Sequence, residues 1–309
     1  MEHLLRYRSI IDDFDDFLAA NERPLPRVVW TNPLRAPADI SERILQACPE
    51  ATPIPWCAGA WRLPHDAKPG LWDIYRLGWV HGQEEAALLP AMLLNAQPGQ
   101  RILDLCASPA NKTAQLALAA MDRAFVIANE GAWRRVAPMR FNLDRLGLTS
   151  VHITNLDGRR FPIPDVLFDS VLVDAPCSCE GTWRKGNGPS RTERPTADFH
   201  SAAGGLQTGL LRRALKLVKP GGLVVYATCT YAPEENERVL DAVSPLDADI
   251  LPISVPDGLT VAPGIPAWEG RTFRADVSNS VRFYPHRQDA GGFFVALLQR
   301  RSDSATPAA

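Results

Sequence analysis

Lysine is scarce in this 309-residue chain: only five of its 33 basic residues are Lys, the rest Arg. Arg presents a planar fork that suits phosphates and stacks on bases, although a genome rich in G and C gives the same bias. Net charge is also small, −2, which argues against a purely electrostatic nucleic-acid binder. Long apolar runs are missing. Gly221–Ala227 and Phe293–Leu298 fall far short of the roughly 20 residues a membrane span needs, and no signal-type apolar core precedes Asp12-Asp13. Six unevenly spaced cysteines make no disulfide framework. They set the expectation of a reducing, intracellular and cytoplasmic setting, with cysteines kept for chemistry or packing. No C-x2-C pair occurs, so no metal site is expected. Apolar residues at 46% and charged residues at 22% exclude a disordered or collagen-like chain.

Two parts are expected. Residues 1–75 read as a small α+β module: apolar residues at helical spacing over Tyr7–Ala20, a short strand at Val28-Val29-Trp30, a helix over Ala38–Ala47, then a proline-broken stretch. From about Gly78 strands and helices alternate. Strands are expected at Arg101–Leu105, Ala124–Ala128, Val151–Thr154, Val166–Val173, Leu223–Thr228 and Gly292–Leu298. Helices are expected at Gln83–Leu94, Thr113–Ala120, Trp133–Leu146, Gln207–Val218 and Glu234–Val243. This alternation predicts a parallel, doubly wound α/β domain over residues 76–302, with a flexible tail at 303–309.

In open α/β sheets ligands bind beyond the carboxyl ends of the strands. Four successive strands here end at Asp104, Glu130, Asp157 and Asp174. Ribose hydroxyls and an adenine amino group are donors that carboxylates accept, so the series suggests a nucleoside ligand. Each acid alone could equally cap a helix. The first loop, Asp104-Leu-Cys106-Ala107-Ser108-Pro109-Ala110-Asn111-Lys112-Thr113, is not Gly-rich and is no phosphate loop. S-adenosylmethionine, which has no phosphate, fits better than a dinucleotide. The loop from Cys106 to Lys112, with Glu130, Asp157 and Asp174, is the candidate cofactor site, Glu130 on the ribose and Asp157 on the adenine amino group.

Two segments are more specific: Asp174-Ala-Pro-Cys177-Ser-Cys179-Glu-Gly181 and Ala227-Thr-Cys229-Thr-Tyr-Ala-Pro-Glu234-Glu235-Asn236-Glu237. Both follow apolar strands, so both fall on the ligand edge. Two cysteines in such turns suggest a nucleophile and a helper. The segments resemble motifs of the NOL/NOP/Sun family of RNA cytosine-5 methyltransferases: D-x-P-C-S-G-x-G, T-C-S-x-x-P-x-E-N-E and a first loop D-x-C-A-A-P-G-G-K-T. The resemblance spans most of residues 76–300. Gly181–Lys185 and the stretch from Pro285 through Gly-Gly-Phe-Phe look more like the tRNA-modifying branch.

The resemblance implies a Rossmann-like methyltransferase that uses S-adenosylmethionine on a flipped or single-stranded cytosine in RNA, tRNA favoured over rRNA. It implies that Cys229 adds to C6 of the base and that Cys177 assists loss of the C5 proton and enzyme release. Asp174 would hydrogen-bond the ring, and Lys112 would orient Asp174 or help ionise a thiol. Residues 1–75 are expected to contribute RNA binding, and a monomer is expected. Two departures matter. Ala110 stands where the family loop has Gly, and Cys179 stands where the family has Gly after Cys-Ser. The altered first loop leaves open a catalytically weak RNA-binding or assembly factor. A DNA cytosine-5 methyltransferase, with Cys177 as nucleophile, is the further alternative. The pairs Arg134-Arg135, Arg159-Arg160, Arg184-Lys185 and Arg212-Arg213, together with Arg282 and Arg287, are candidates for an RNA-binding stripe, although Arg212-Arg213 reads better as a solvated helix face.

Overall fold

The structure is a computed structural model and describes residues 2–186 and 195–302. The tail expected at 303–309 lies outside the described residues.

A four-stranded antiparallel sheet comes first: β1 (Arg27–Thr31), β2 (Thr52–Pro53), β3 (Ala60–Leu63) and β4 (Val80–Gly82), in the order β2-β3-β1-β4. Helices α2 (Ile40–Ala47) and α3 (Asp73–Arg76) lie between its strands, and α1 (Phe14–Glu22) precedes it. The edge strand β4 lies beyond residue 75, so the sheet runs across the junction between the two expected parts. The chain before the sheet packs elsewhere. Leu4, Tyr7, Ile11, Phe14 and Phe17 are buried in the same core as Val171, Val224 and Tyr226 of the second part. Phe17 meets Tyr231 edge-on with ring centroids 5.1 Å apart. Each such buried apolar side chain contributes about 1.5–3 kcal/mol.

The second part contains β5 (Arg101–Asp104), β6 (Phe125–Asn129), β7 (Val151–Thr154), β8 (Phe168–Asp174), β9 (Val218–Thr228), β10 (Ala248–Leu251) and β11 (Ala262–Pro263). A two-stranded hairpin, β12 (Ala267–Trp268) and β13 (Arg271–Thr272), precedes β14 (Val281–Phe283) and β15 (Phe293–Arg300). Its helices are α4 (Leu89–Leu93), α5 (Asn111–Ala119), α6 (Val136–Leu146), α7 (Ala197–Leu217) and α8 (Glu237–Asp241). The sheet order is β11-β14-β15-β9-β8-β5-β6-β7, with β10 also paired to β15. Pairings from β7 through β9 are parallel, as expected of apolar runs buried on both faces. β15 pairs antiparallel with β9, and β14 antiparallel with β15. The sheet is therefore mixed, not wholly parallel. β15 returns from the short strands of residues 248–283 rather than from a crossover helix. From β5 the chain winds one way to β6 and β7, then crosses back to β8 and β9. The crevice between β5 and β8 is the switch point where this class of sheet binds ligands.

Several expected helices differ in the structure: Glu234–Val243 is confined to Glu237–Asp241, and Trp133–Leu146 opens with a 3-10 turn over Trp133–Arg135. Tyr7–Ala20 is split: a 3-10 turn covers Glu2–Tyr7, Asp13 takes a left-handed conformation (φ 53°), and α1 begins at Phe14. Gln83–Leu94 shrinks to a 3-10 turn at Ala86–Leu88 followed by α4, which carries Pro90 near its start. The helix expected from Gln207 begins ten residues earlier, at Ala197, where the Thr196 hydroxyl caps it by accepting from Phe199 N–H.

Candidate active site

Loops at the carboxyl ends of β5, β6, β8 and β9 surround two adjoining cavities. The larger, about 550 Å³, is bordered by Cys106, Ser108, Glu130, Asp157, Asp174 and the two motif cysteines Cys177 and Cys229. The smaller, about 250 Å³, is bordered by Ala107, Pro109, Asn111 and Lys112, and by Asp104, Thr182 and Phe293. Asp174 and Cys229 belong to both, as does Ser108. Ala110 borders neither cavity and is fully buried. The structure thus divides the candidate first loop: Cys106 and Ser108 face the larger space, the residues around Lys112 the smaller one.

The four strand-end acids have separate environments. Asp104 is buried and accepts from the Thr113 hydroxyl at 2.6 Å, while its Oδ1 has no hydrogen-bond partner. Burial pushes its carboxyl up to about 7. Glu130 is 5% exposed. Its Oε1 accepts from Ala132 N–H at 2.8 Å, and its Oε2 has no hydrogen bond, only the Arg135 guanidinium 3.2 Å away. Asp157 is exposed and caps a 3-10 turn, accepting from Arg159 N–H at 3.0 Å and from the Arg159 guanidinium, which holds its carboxyl below the usual range. Asp174 receives the Lys112 ammonium at 2.6 Å. Lys112 is 8% exposed and no solvated surface lysine. Burial works to discharge it, but the Asp174 charge and hydrogen bond outweigh burial and raise its pKa. Asn129, passed over in the sequence, ties three strand ends together: its amide donates to Leu105 and Leu156 carbonyls and its Oδ1 accepts from Thr154 and Leu156. An amide that ends a strand was the available signal.

The cysteine loops lie side by side. Cys177 Sγ is 3.3 Å from Cys229 Sγ and 4.0 Å from Cys179 Sγ. Hydrogen bonds from Cys177 and Cys229 hold the Cys179 thiol well down, to about 4. At Cys229 the bond with Cys177 works downward, but the Cys179 charge and burial overcome it and push the thiol up to about 12. The bond to Cys179, then that to Cys229, pushes Cys177 up as well. The cluster thus favours a single shared negative charge.

Behind the sulfurs the Pro-Glu-Glu-Asn-Glu stretch is scaffolding. Glu235, fully buried, accepts from Ser178 N–H at 3.0 Å, Gln207 Nε2 at 2.8 Å and His200 Nδ1 at 2.7 Å. Asn236 accepts from Thr228 and donates to the Thr230 carbonyl. Glu237 holds the buried Arg282, and Glu234 pairs with Arg6. Glu180 accepts from Tyr7 OH at 2.6 Å, so the first residues of the chain brace both cysteine loops. Gly181 passes so close to Gly292 that a β-carbon there would lie 2.0 Å from the Gly292 carbonyl oxygen; this contact locks the Cys177 loop against β15.

The two departures from the family pattern fall on one kind of backbone. Ala110 (φ 77°, ψ 20°) and Cys179 (φ 60°, ψ 22°) are both left-handed, the conformation in which Gly escapes the clash of a β-carbon. The expected arginine stripe is corrected in two places. Arg184 is buried on the Arg23, Pro24 and Ala290 carbonyls and on Asp289, and Arg282 is buried on Glu237. Neither reaches a surface RNA can touch. Arg134, Arg159 and Arg160 remain exposed.

Fold and site together define a Rossmann-like methyltransferase that carries a cluster of three thiols beside its ligand crevice. The comparisons with known proteins make this particular: the sequence model of a family described as 16S rRNA methyltransferase RsmB/F matches residues 91–299, and the chain belongs to that family of RNA cytosine-5 methyltransferases. The chain is 33% identical over 301 residues to a tRNA (cytosine(49)-C(5))-methyltransferase of Pyrococcus abyssi, covering 96% of this chain and 95% of that one. It is 35% identical over 304 residues to the ribosomal RNA small subunit methyltransferase F of Shigella boydii, covering 96% of this chain but only 61% of the relative. Among solved structures, a methyltransferase homolog protein from Pyrococcus horikoshii superposes with a TM-score of 0.84 at 28% identity, over 97% of this chain and 98% of that one. NSun6 from Pyrococcus horikoshii with SFG superposes at 0.80 and 18% identity, over 98% and 97%, a likeness of fold. Among the described residues no helix is long and apolar enough to cross a membrane.

Proposed function

We propose that this protein transfers a methyl group from S-adenosylmethionine to C5 of a cytosine in RNA, tRNA in preference to rRNA, through a covalent bond between Cys229 and C6 of the base. One observation carries the reading: two cavities share the walls Asp174 and Cys229, so a cofactor in the larger and a base in the smaller would meet there. The tRNA preference rests on the near-complete overlap with the tRNA-modifying relative.

The larger cavity suits the cofactor. Its volume lies in the range of small-molecule sites, and it is bordered by Glu130, whose carboxylate can accept from a hydroxyl. Glu130 would hold the ribose and Asp157 the adenine amino group. S-adenosylmethionine, when bound, supplies an electrophilic methyl group on a positively charged sulfur.

The chain's own residues do the rest. Cytosine C5 is a weak nucleophile until a thiolate adds at C6. The Cys229 proton leaves through the hydrogen-bonded sulfurs, the thiolate attacks C6, and the ring becomes an enamine nucleophilic at C5. The Asp174 carboxylate, fixed by Lys112, accepts from the exocyclic amino group, a donor that uracil lacks. Once C5 carries the methyl group, Cys177, its own thiol proton first passed to solvent, takes the C5 proton as a thiolate. The C–H electrons re-form the C5–C6 double bond and expel the Cys229 thiolate. The test is transfer of labelled methyl groups to tRNA and to small-subunit rRNA fragments at matched salt. Transfer to tRNA cytosines is expected. Labelling of rRNA alone would overturn the tRNA preference, and labelling of neither would favour the RNA-binding factor.

A further inference from the structure

The proposed reaction leaves two cysteines of the larger cavity unused, Cys106 and Cys179, and Cys179 lies in the sulfur cluster. Cys179 occupies a left-handed position where Gly would be unstrained. Its sulfur lies 4.0 Å from Cys177 Sγ, and the three sulfurs of Cys177, Cys179 and Cys229 all fall within 4.8 Å of one another. A tetrahedral zinc ion with bonds of about 2.3 Å sets its sulfurs about 3.8 Å apart, and the separations here, from 3.3 Å upward, bracket that spacing. The Cys177-x-Cys179 spacing lacks the C-x2-C pair of common zinc sites. The third sulfur comes from the loop after β9, 50 residues beyond Cys179, and the fold brings it in. Both loops are pinned from behind by Glu235, Thr230 and Gly181, so the donors are held in place before any ion arrives. An all-sulfur set selects soft ions such as Zn²⁺ or Cu⁺ over Mg²⁺ or Ca²⁺, and the fourth position opens on the larger cavity.

We propose that Cys177, Cys179 and Cys229 bind one thiophilic metal ion, with Zn²⁺ as its representative, and that this ion switches the enzyme off reversibly by taking both reactive thiols. Binding displaces the thiol protons to solvent as three sulfur–metal bonds form. The inhibitory half rests on the roles proposed above for Cys229 and Cys177; the binding half does not.

The experiment uses the full chain, reduced and freed of metal, titrated with Zn²⁺ alone in a calorimeter and by equilibrium dialysis, followed by methyl-transfer assays. The wild type should bind one Zn²⁺ per chain. C179G, which places Gly where the backbone favours it, should bind about 100-fold more weakly while melting no lower than wild type. C177S should lose affinity to a similar extent. Zn²⁺ should inhibit the wild type, a chelator should restore it, and C179G should need about 100-fold more Zn²⁺ for half-inhibition. Equal Zn²⁺ affinity in C179G, absence of binding at micromolar Zn²⁺, or lost activity restored by a thiol reductant but not by a chelator would each overturn the proposal. Stoichiometric binding abolished by C179G, in a protein that methylates no RNA, would sink the functional reading and leave the metal site standing.

Discussion

Replacing Glu235 by Ala removes the acceptor on which three buried donors converge: Ser178 N–H, the Gln207 amide and His200. A buried donor left without a partner costs about 1–3 kcal/mol, and breaking a buried ion pair from one side costs about 3–5 kcal/mol. His200 can shed its proton and Gln207 keeps its bond to the Pro176 carbonyl, so the lower part of the summed range applies, about 4 kcal/mol. Urea unfolding should show the midpoint fall with the slope unchanged. E235Q keeps the shape and one acceptor oxygen and should lose about half as much. Because Ser178 follows Cys177, the same substitution should loosen the Cys177 loop and raise its rate of alkylation in the folded protein. A loss below about 1 kcal/mol in E235A would refute the view that this carboxylate fastens the cysteine loops.

Four further outcomes are expected. A110G relieves a left-handed alanine and should stabilise the protein by about 0.5–1 kcal/mol by thermal melting; destabilisation would show that the β-carbon packing outweighs the strain. Asp104, whose folded pKa is raised to about 7, binds its proton more tightly in the native state, so stability falls as pH rises from about 4 to 7, by roughly 4 kcal/mol at most, and D104N should flatten that slope. His200, raised by its Glu235 hydrogen bond and by the Glu180 and Glu235 charges against the effect of burial, adds stability that is full below pH 6.5 and lost as pH rises through its folded value; H200Q should remove that alkaline loss. E130Q should weaken binding of S-adenosylmethionine about tenfold by calorimetry, and unchanged affinity would detach Glu130 from the cofactor.

The legible parts of this fold are those whose physics is local. β5 to β9 are apolar runs broken at the residues that leave the sheet, so their ends at Asp104, Asp174 and Thr228 could be read directly. Gly147 stops α6 in the left-handed conformation (φ 73°) and signals its end. Residues 248–283 are not legible, because strands of two to four residues carry no period and the antiparallel pairing of β10 and β14 to β15 is made by tertiary context. The same holds for the bracing by the N-terminal segment. Tyr7 meets Glu180 across 173 residues, and nothing near Tyr7 announces it. The acids show the limit of residue type as a guide. Asp104, Asp157 and Glu130 look alike in sequence, yet one is buried on Thr113, one is held by its own Arg159, and one lies between Ala132 N–H and the Arg135 guanidinium. The Ala110 and Cys179 substitutions were visible as departures, while their shared left-handed backbone was not.

The central claim is the division of labour between Cys229 and Cys177, whose sulfurs lie 3.3 Å apart. The most direct measurement is a denaturing gel of the protein incubated with natural tRNA and S-adenosylmethionine, comparing C229A, C177A and the double variant, each repeated in the C179G background so that the neighbouring thiol does not stand in. A denaturant-resistant protein–RNA species should accumulate with C177A, which still attacks C6 but is slow to release, and should be absent with C229A and with the double variant. Accumulation with C229A and none with C177A would reverse the roles and contradict the mechanism.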